Sequence, residues 1–189
     1  MIYNTKIQEA VRFATKVHND QTRKGKDEPY IIHPLSVSLI LSKVTSDEDI
    51  IVAGILHDTI EDCKPYGSIT KELLVKEFCE NVARMVNDVT EQDKTLPWKV
   101  RKAAAFNHIK KMKHDSLLLK SADVLNNLSE LNNDIEEEGL SVFNRFNASK
   151  ENSILRYRKL IPEIKKAWDK NPLVADLEFN LDKLLDLTK

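Results

Sequence analysis

The chain has few of the residues that mark loop-rich and disulfide-bonded proteins. Its 189 residues include only four glycines and six prolines, which argues against an all-β architecture and against disorder. The two cysteines, Cys63 and Cys79, have neither CxxC spacing nor the density of a disulfide framework. We therefore expect both thiols to be reduced and the protein to be cytoplasmic.

The chain also lacks a dominant charge and a long apolar run. Its 29 basic and 30 acidic side chains give a formal net charge of −1, so bulk electrostatics provide no attraction to nucleic acid or to an acidic membrane. The N-terminal segment MIYNTKIQEAVRFATK does not resemble a signal peptide, and no stretch approaches the length of a membrane span. The length and the 41% hydrophobic fraction predict a single domain over residues 1–189. We expect this domain to bind neither nucleic acid nor a membrane.

Apolar residues recur at helical spacing along most of the chain, and no strand-like alternation competes with them. Pro34 is expected to begin the second helix, and Thr45 or Ser46 to begin a third that runs through IIVAGILHDTI. Two terminal helices are predicted over 150–168 and 172–187. The sequence thus predicts an all-α bundle, with one polar stretch between the first two helices, residues 19–33, that is long enough to be functional.

Four ionisable side chains crowd the end of the predicted third helix. His57 and Asp58 follow an apolar run directly, and Glu61 and Asp62 come one turn later. On a continuous helix, residues i and i+4 share a face, so His57 aligns with Glu61 and Asp58 with Asp62. A carboxylate in apolar surroundings is unfavourable unless it is paired, hydrogen-bonded or bound to a metal. Because three carboxylates repel one another without a cation, the pattern indicates a cation site.

A second apolar helix carries a similar polar interruption. Asp123 stands within LLLKSADVLNNL, and Lys120 and Asn127 are spaced so that all three residues share one face. His33 ends the polar stretch and precedes Pro34, so we expect an extended, fixed backbone at this histidine. Two imidazoles and two carboxylates suit a borderline divalent ion such as Mn²⁺, Fe²⁺, Co²⁺, Ni²⁺ or Zn²⁺.

Each of these residues also has an ordinary interpretation. A lone His or Asp near a helix end is usually a cap or a satisfied polar residue, and a basic loop such as the one around Lys26 is usually solvated. The HD and ED pairs in one apolar helix, together with an Asp in another, favour a metal site. The sequence alone does not show that the two helices touch.

The order His33…His57-Asp58…Asp123 resembles that of the HD-domain phosphohydrolase superfamily, and more closely the hydrolase domain of RelA/SpoT enzymes and the stand-alone small alarmone hydrolases. The matching segments are AVRFATKVHNDQTRKGKDEPYIIHPLSVSLIL, VAGILHDTIEDC, FCENVARMVNDVTE and LLLKSADVLNNLSEL, which span about residues 10–131. The tail FNRFNASKENSILRYRKL resembles small members of that group. The resemblance implies a single all-α HD-domain bundle, with C-terminal helices over 150–187.

The resemblance also implies roles for individual residues. One Mn²⁺ ion, the usual ion of the family, would be held by His33, His57, Asp58 and Asp123. Glu61 and Asp62 match the pair that positions and activates the attacking water. The positions that match or suit substrate contacts are Arg23, Lys24, Asn127 and Lys120. The implied reaction removes the 3′-pyrophosphate of the guanosine polyphosphate (p)ppGpp, giving GDP or GTP and pyrophosphate.

Three departures from the family motif leave other substrates open. Ser121, Val124 and Asn126 replace the Leu, Arg and His of KLADRLHN, and the loss of an arginine at Val124 is expected to alter substrate contacts. One alternative is the same chemistry on another nucleotide, such as (p)ppApp, NADPH or a nucleoside phosphate. Another is a non-catalytic module that binds an alarmone or a partner protein, and a homo-oligomer is also compatible with the sequence.

Overall fold

Helices account for the regular structure in the described part of the chain. The computed structural model describes residues 4–62, 69–91 and 98–189, apart from the side chains of Asp62 and of 98–100, 102, 103 and 105. Within these ranges there is no strand, which confirms the all-α prediction. The elements are α1 (Thr5–Val17), α2 (Ile32–Val44), α3 (Glu48–Leu56), α4 (Thr59–Asp62), α5 (Lys71–Glu77), α6 (Glu80–Val89), α7 (Trp98–Ile109), α8 (His114–Glu138), a 3-10 helix (Gly139–Arg145), α9 (Lys150–Ala167) and α10 (Val174–Leu187).

Two helix starts differ from the sequence prediction. Helix α3 begins after Asp47, not Thr45 or Ser46, because the Asp47 carboxylate accepts from two backbone N–H groups and lies favourably at the helix N-terminus. Helix α2 begins at Ile32, so His33 is helical and the predicted extended conformation is wrong. Pro34 lies in the first turn, where no intrahelical N–H is needed, and the His33 N–H donates to the Tyr30 carbonyl at 3.0 Å.

The predicted helix through IIVAGILHDTI is interrupted at His57 and Asp58. The Nδ1 of His57 donates to the Gly54 carbonyl at 2.8 Å, and the Thr59 hydroxyl donates to the Leu56 carbonyl at 2.7 Å. These side chains satisfy carbonyls that the backbone of a continuing helix would otherwise bind. The break leaves His57 and Asp58 at the junction of α3 and α4.

Helix α8 is the central element, and α2, α3, α6 and α10 pack around it. Every residue of α3 from Ile50 to Leu56 is buried, as expected for an apolar helix enclosed on several sides. Gly54 allows α3 to approach α2 closely, because a Cβ at this position would lie 2.7 Å from Cδ1 of Leu41 and 3.3 Å from Cα of Ser38. The close packing of α2, α3 and α8 brings their polar residues together.

The packing of α10 against α8 gives a stability prediction. Leu177 of α10 is fully buried in the core, so Leu177→Ala is expected to lower the free energy of unfolding by about 2–5 kcal/mol. Phe179, on the same helix, is 69% exposed, and Phe179→Ala is expected to change it by less than about 0.5 kcal/mol. Urea denaturation of both variants measures the difference, and equal losses would contradict the assigned packing.

Two sequence expectations concern membranes and thiols. No helix in the described ranges is long and apolar enough to cross a membrane. Cys79 is a free, half-buried thiol. Cys63 lies outside the described residues.

Candidate metal centre

Four side chains from three parts of the chain meet at the junction of α2, α3 and α8. The Nε2 atoms of His33 and His57 are 3.2 Å apart. Asp58 Oδ2 lies 3.5 Å from His33 Nε2 and 3.2 Å from His57 Nε2. Asp123 Oδ1 approaches the same two nitrogens, at 3.4 and 3.9 Å. The structure therefore brings together the four residues that the sequence predicted as metal ligands, and His33, His57 and Asp58 form a group that can hold a metal ion.

Hydrogen bonds on the far side of each imidazole orient the two histidines. The Nδ1 of His33 lies 2.6 Å from the amide oxygen of Asn126, and the Nδ1 of His57 lies 2.8 Å from the Gly54 carbonyl. Both partners accept, so each Nδ1 carries a proton, and Nε2 is the nitrogen whose lone pair each neutral ring would offer to a cation. Two nitrogen lone pairs that face each other among carboxylates are the arrangement that a cation stabilises.

The two carboxylates have partners that hold them in their charged form. Tyr30 donates its hydroxyl to Asp58 Oδ2 at 2.7 Å. Asp123 accepts from Nζ of Lys120 at 2.8 Å and from Nδ2 of Asn127 at 2.6 Å. Burial acts to raise the pKa of both carboxyls, but His57 beside Asp58 and Lys120 beside Asp123 hold the pKa of each well below its ordinary range.

The negative charge of these carboxylates also affects the pKa of His57. Burial acts to lower it, yet the negative charges of Asp58 and Asp123 raise the pKa of His57 to about 9. The field that favours a positive charge on this imidazole also favours a cation between the four side chains. The donor set fits a borderline divalent ion, because nitrogen and oxygen ligands lie about 2.0–2.2 Å from such an ion and would then be roughly 3 Å from one another.

A cavity of about 470 Å³ opens over these four residues. Glu61 lines it, and Oε2 of Glu61 accepts from the backbone N–H of Glu91 at 3.0 Å. The side chain of Asp62, the other predicted catalytic residue, lies outside the described residues. Of the side chains that the structure describes, those of Arg23, Lys120, Arg101 and Arg156 also line the cavity with cationic groups. The cavity thus combines a candidate ion site with the carboxylates of Glu61, Asp88 and Glu91 and with several cationic groups that can attract a polyanion.

The two basic loop residues point in different directions. Arg23 lines the cavity, donates to Asn127 Oδ1 at 3.3 Å and forms an ion pair with Glu130 at 2.5 Å. Lys24 is not among the lining residues of this cavity, and its Nζ lies 3.3 Å from Oδ1 of Asn147. The predicted substrate contact of Arg23 is consistent with this placement, and that of Lys24 stays a prediction for a neighbouring region.

A second, smaller cavity of about 260 Å³ adjoins the first. Arg101 and Arg156 line both cavities. The second cavity also has an aromatic and amide-rich wall, formed by Phe146, Tyr157, Asn147 and Asn152. Lys24 lies over the Phe146 ring, with Nζ 5.9 Å from its centroid, and so borders this region.

The sequence interpretation missed two residues that contact the ligands. Tyr30 bonds to Asp58 and stacks on the buried ring of His18, with centroids 4.9 Å apart. Asn126 was noted only as a departure from a motif. Tyr30 lies near His33 in the sequence and Asn126 lies near Asp123, which could have drawn attention to both. The sequence does not show, however, in which direction the two side chains point. No spacing rule reveals a hydrogen bond between α8 and the first turn of α2.

The other two departures lie away from the cavity. Val124 is 2% exposed and belongs to the hydrophobic core, so the expectation that it alters substrate contacts has no support in its position. Ser121 is fully buried, and its hydroxyl accepts from Nδ2 of Asn171 at 2.7 Å. Both substitutions therefore suit the packing of α8.

The helical bundle and its cluster of His and Asp side chains agree with a comparison to known protein families. The family model described as HD domain matches residues 10–153, more than half of the chain, and this chain belongs to the HD-domain family. The match extends beyond the motif region of residues 10–131 and includes the start of α9.

Several characterised proteins are similar to this chain. Guanosine-3′,5′-bis(diphosphate) 3′-pyrophosphohydrolase MESH1 of Danio rerio is 40% identical over 127 residues, which cover 66% of this chain and 68% of the relative. The guanosine-3′,5′-bis(diphosphate) 3′-pyrophosphohydrolase of Borreliella burgdorferi is 38% identical over 131 residues, but these cover only 19% of that longer protein. A solved structure, described as a metazoan ortholog of SpoT that hydrolyzes ppGpp, is 28% identical with a TM-score of 0.77 and covers 98% of this chain and 97% of its own.

Proposed function

We propose that this protein is a metal-dependent hydrolase that removes the 3′-pyrophosphate of (p)ppGpp, giving GDP or GTP and pyrophosphate. The observation that carries the proposal is the convergence of His33, His57, Asp58 and Asp123 beneath a cavity whose wall includes several cationic side chains beside acidic ones. The activity named for the relatives from Danio rerio and Borreliella burgdorferi supports the substrate. A metal centre and surrounding cations are what hydrolysis of a phosphate polyanion requires.

The proposed metal is Mn²⁺, one ion per chain, held by His33, His57, Asp58 and Asp123. The mixed nitrogen and oxygen donor set supports a borderline divalent ion of this kind. When bound, the ion would polarise a phosphoryl oxygen and lower the pKa of a water molecule. The preference for manganese over other divalent ions stays a proposal.

The residues around the ion site activate the water and bind the phosphates of the substrate. Glu61, at the cavity wall, orients the attacking water and takes its proton, together with Asp62 as the sequence predicts. Arg23 and Lys120 bind phosphate oxygens by charge-assisted hydrogen bonds. Asn127 contacts both Asp123 and Arg23, and so links the ion site to the substrate-binding loop.

The neighbouring cavity suits the part of the nucleotide that does not react. We assign Arg156, which lines both cavities, to the remaining phosphates of the substrate. A hydrogen bond to a charged group is worth about 1.5–3 kcal/mol, so Arg156→Gln is expected to lower kcat/KM for ppGpp roughly 10- to 100-fold. Steady-state kinetics measure this loss. The change should appear mainly in KM, and an unchanged KM would remove the assignment.

A nucleotide panel tests the proposed substrate against the alternatives. Full-length protein with Mn²⁺ is incubated with ppGpp, ppApp, NADPH and simple nucleoside phosphates, and pyrophosphate and orthophosphate are measured separately. The proposal predicts pyrophosphate from ppGpp. Orthophosphate release without activity on ppGpp would instead support another nucleotide as substrate, and tight ppGpp binding without turnover would indicate a non-catalytic module.

A further inference from the structure

The orientation of His33 depends on a side chain from another helix. Asn126 lies on α8, three residues after Asp123, and is only 9% exposed. Its amide oxygen is 2.6 Å from Nδ1 of His33. Because this oxygen can only accept, the Nδ1 of His33 carries the proton and Nε2 presents its lone pair. That Nε2 is the atom that lies within 3.5 Å of His57, Asp58 and Asp123.

We propose that Asn126 is a positioning residue that fixes the tautomer and ring direction of His33 and thereby sets the affinity of the metal centre. This inference rests on the proposed metal site. It concerns His33 alone, because the equivalent acceptor for His57 is the main-chain carbonyl of Gly54, which no side-chain replacement removes. Partners of this kind fix the orientation and basicity of ligating imidazoles.

Asn126 is a departure from the family motif that this chain resembles. The motif that it resembles has a histidine where Asn126 stands, and a neutral imidazole offers its acceptor nitrogen at a place that depends on its own tautomer. An amide oxygen is an acceptor in every state, provided that its side chain stays in place. The buried position of Asn126 between α8 and α2 holds it there.

The role of an acceptor predicts an order of metal affinities among variants of similar size. Asn126→Asp keeps an acceptor and makes it anionic, which strengthens the hydrogen bond to Nδ1. Asn126→Leu has nearly the same volume but no acceptor, so the ring of His33 loses its anchor. Affinity for the ion should therefore be highest with Asp, intermediate with Asn and lowest with Leu.

The experiment uses the full chain after removal of metal by a chelator, titrated with Mn²⁺ alone. The electron paramagnetic resonance signal of the free aqua ion reports the unbound fraction. Asn126→Leu is expected to weaken Mn²⁺ binding about 10- to 100-fold, whereas Asn126→Asp should bind at least as tightly as the wild type. The matched control is Ser121→Ala on the same helix, which removes a buried hydrogen bond to Asn171 and should lower thermal stability without changing Mn²⁺ affinity.

A second measurement reports the tautomer directly. In long-range ¹H–¹⁵N spectra of Zn²⁺-loaded protein, wild type and Asn126→Asp should both show a protected proton on Nδ1 of His33. Equal Mn²⁺ affinity in wild type and a folded Asn126→Leu would overturn the inference and leave the proposed function intact. A weakened Asn126→Asp, or Nδ1 without its proton, would also overturn it, even if the Leu variant does not fold. Wild-type protein that takes up no Mn²⁺ would overturn both.

Discussion

Asp123→Asn is expected to remove metal-dependent activity and the stabilisation that the metal provides. Asp123 contributes a carboxylate from α8 to the proposed metal site, whose other three proposed ligands come from α2 and the α3–α4 junction. At a concentration of 100 times its Kd, Mn²⁺ should stabilise the wild type by about 2.7 kcal/mol, which raises Tm by roughly 5–11 °C in a chain of this size. The variant should show little of this shift. Its kcat/KM should fall by at least roughly 10³-fold, because metal assistance is worth several kcal/mol.

Asp134→Asn is the matched control for this result. Asp134 lies on the same helix, is as buried as Asp123 at 8% exposure, and pairs with Lys26 and Arg145 instead of the histidines. Its replacement should lower stability but leave the Mn²⁺-induced shift in Tm intact. Calorimetric scans with and without Mn²⁺ compare the two variants. A full metal-induced shift in Asp123→Asn would contradict the proposed ligand set.

Glu61→Gln is expected to separate metal binding from turnover. Glu61 lines the cavity but is not one of the four converging ligands, and its carboxylate is held by the Glu91 backbone N–H. Loss of a general base typically lowers kcat by about 10²–10⁴-fold, while Mn²⁺ affinity should stay at the wild-type level. Asp62→Asn, predicted from the sequence alone, should behave in the same way. Rapid-quench kinetics measure kcat, and Mn²⁺ titration of the same samples measures the metal affinity.

Glu91→Gln provides the comparison for Glu61→Gln. It removes a carboxylate from the wall of the same cavity but keeps the backbone N–H that binds Glu61. Its partner is Arg101, at 2.5 Å, so the effect should fall mainly on KM and be smaller in kcat. If Glu61→Gln kept its kcat within about threefold, or lost its metal, the assigned role of Glu61 would be wrong.

Local sequence signals predicted the helices well where capping and apolar spacing agreed. The terminal helices were expected over 150–168 and 172–187 and are found as Lys150–Ala167 and Val174–Leu187. The errors arose where side chains compete with the backbone. His57 and Thr59 take the last carbonyls of α3 and end it, and Asp47 displaces Thr45 as the N-terminal cap.

The candidate site was predictable in composition but not in its supporting contacts. His57, Asp58 and Asp123 stood out because ionisable groups interrupt apolar helices, and the family resemblance supplied the expectation that those helices meet. The backbone of His33 was wrongly predicted, since the first turn of a helix tolerates Pro34 better than the general preference suggests. The contacts of Tyr30 with Asp58 and of Asn126 with His33 depend on tertiary geometry, which residue spacing does not predict. The single domain, the homo-oligomer and the cytoplasmic location stay predictions.

Restoration of activity by metal tests the central claim most directly. Wild-type protein is stripped with a chelator and mixed with ppGpp, and phosphorus NMR follows the products before and after Mn²⁺ is added. We expect no turnover in the stripped protein, followed by formation of pyrophosphate and GDP in equal amounts once the ion is present. Equal rates with and without metal, or release of orthophosphate in place of pyrophosphate, would contradict it.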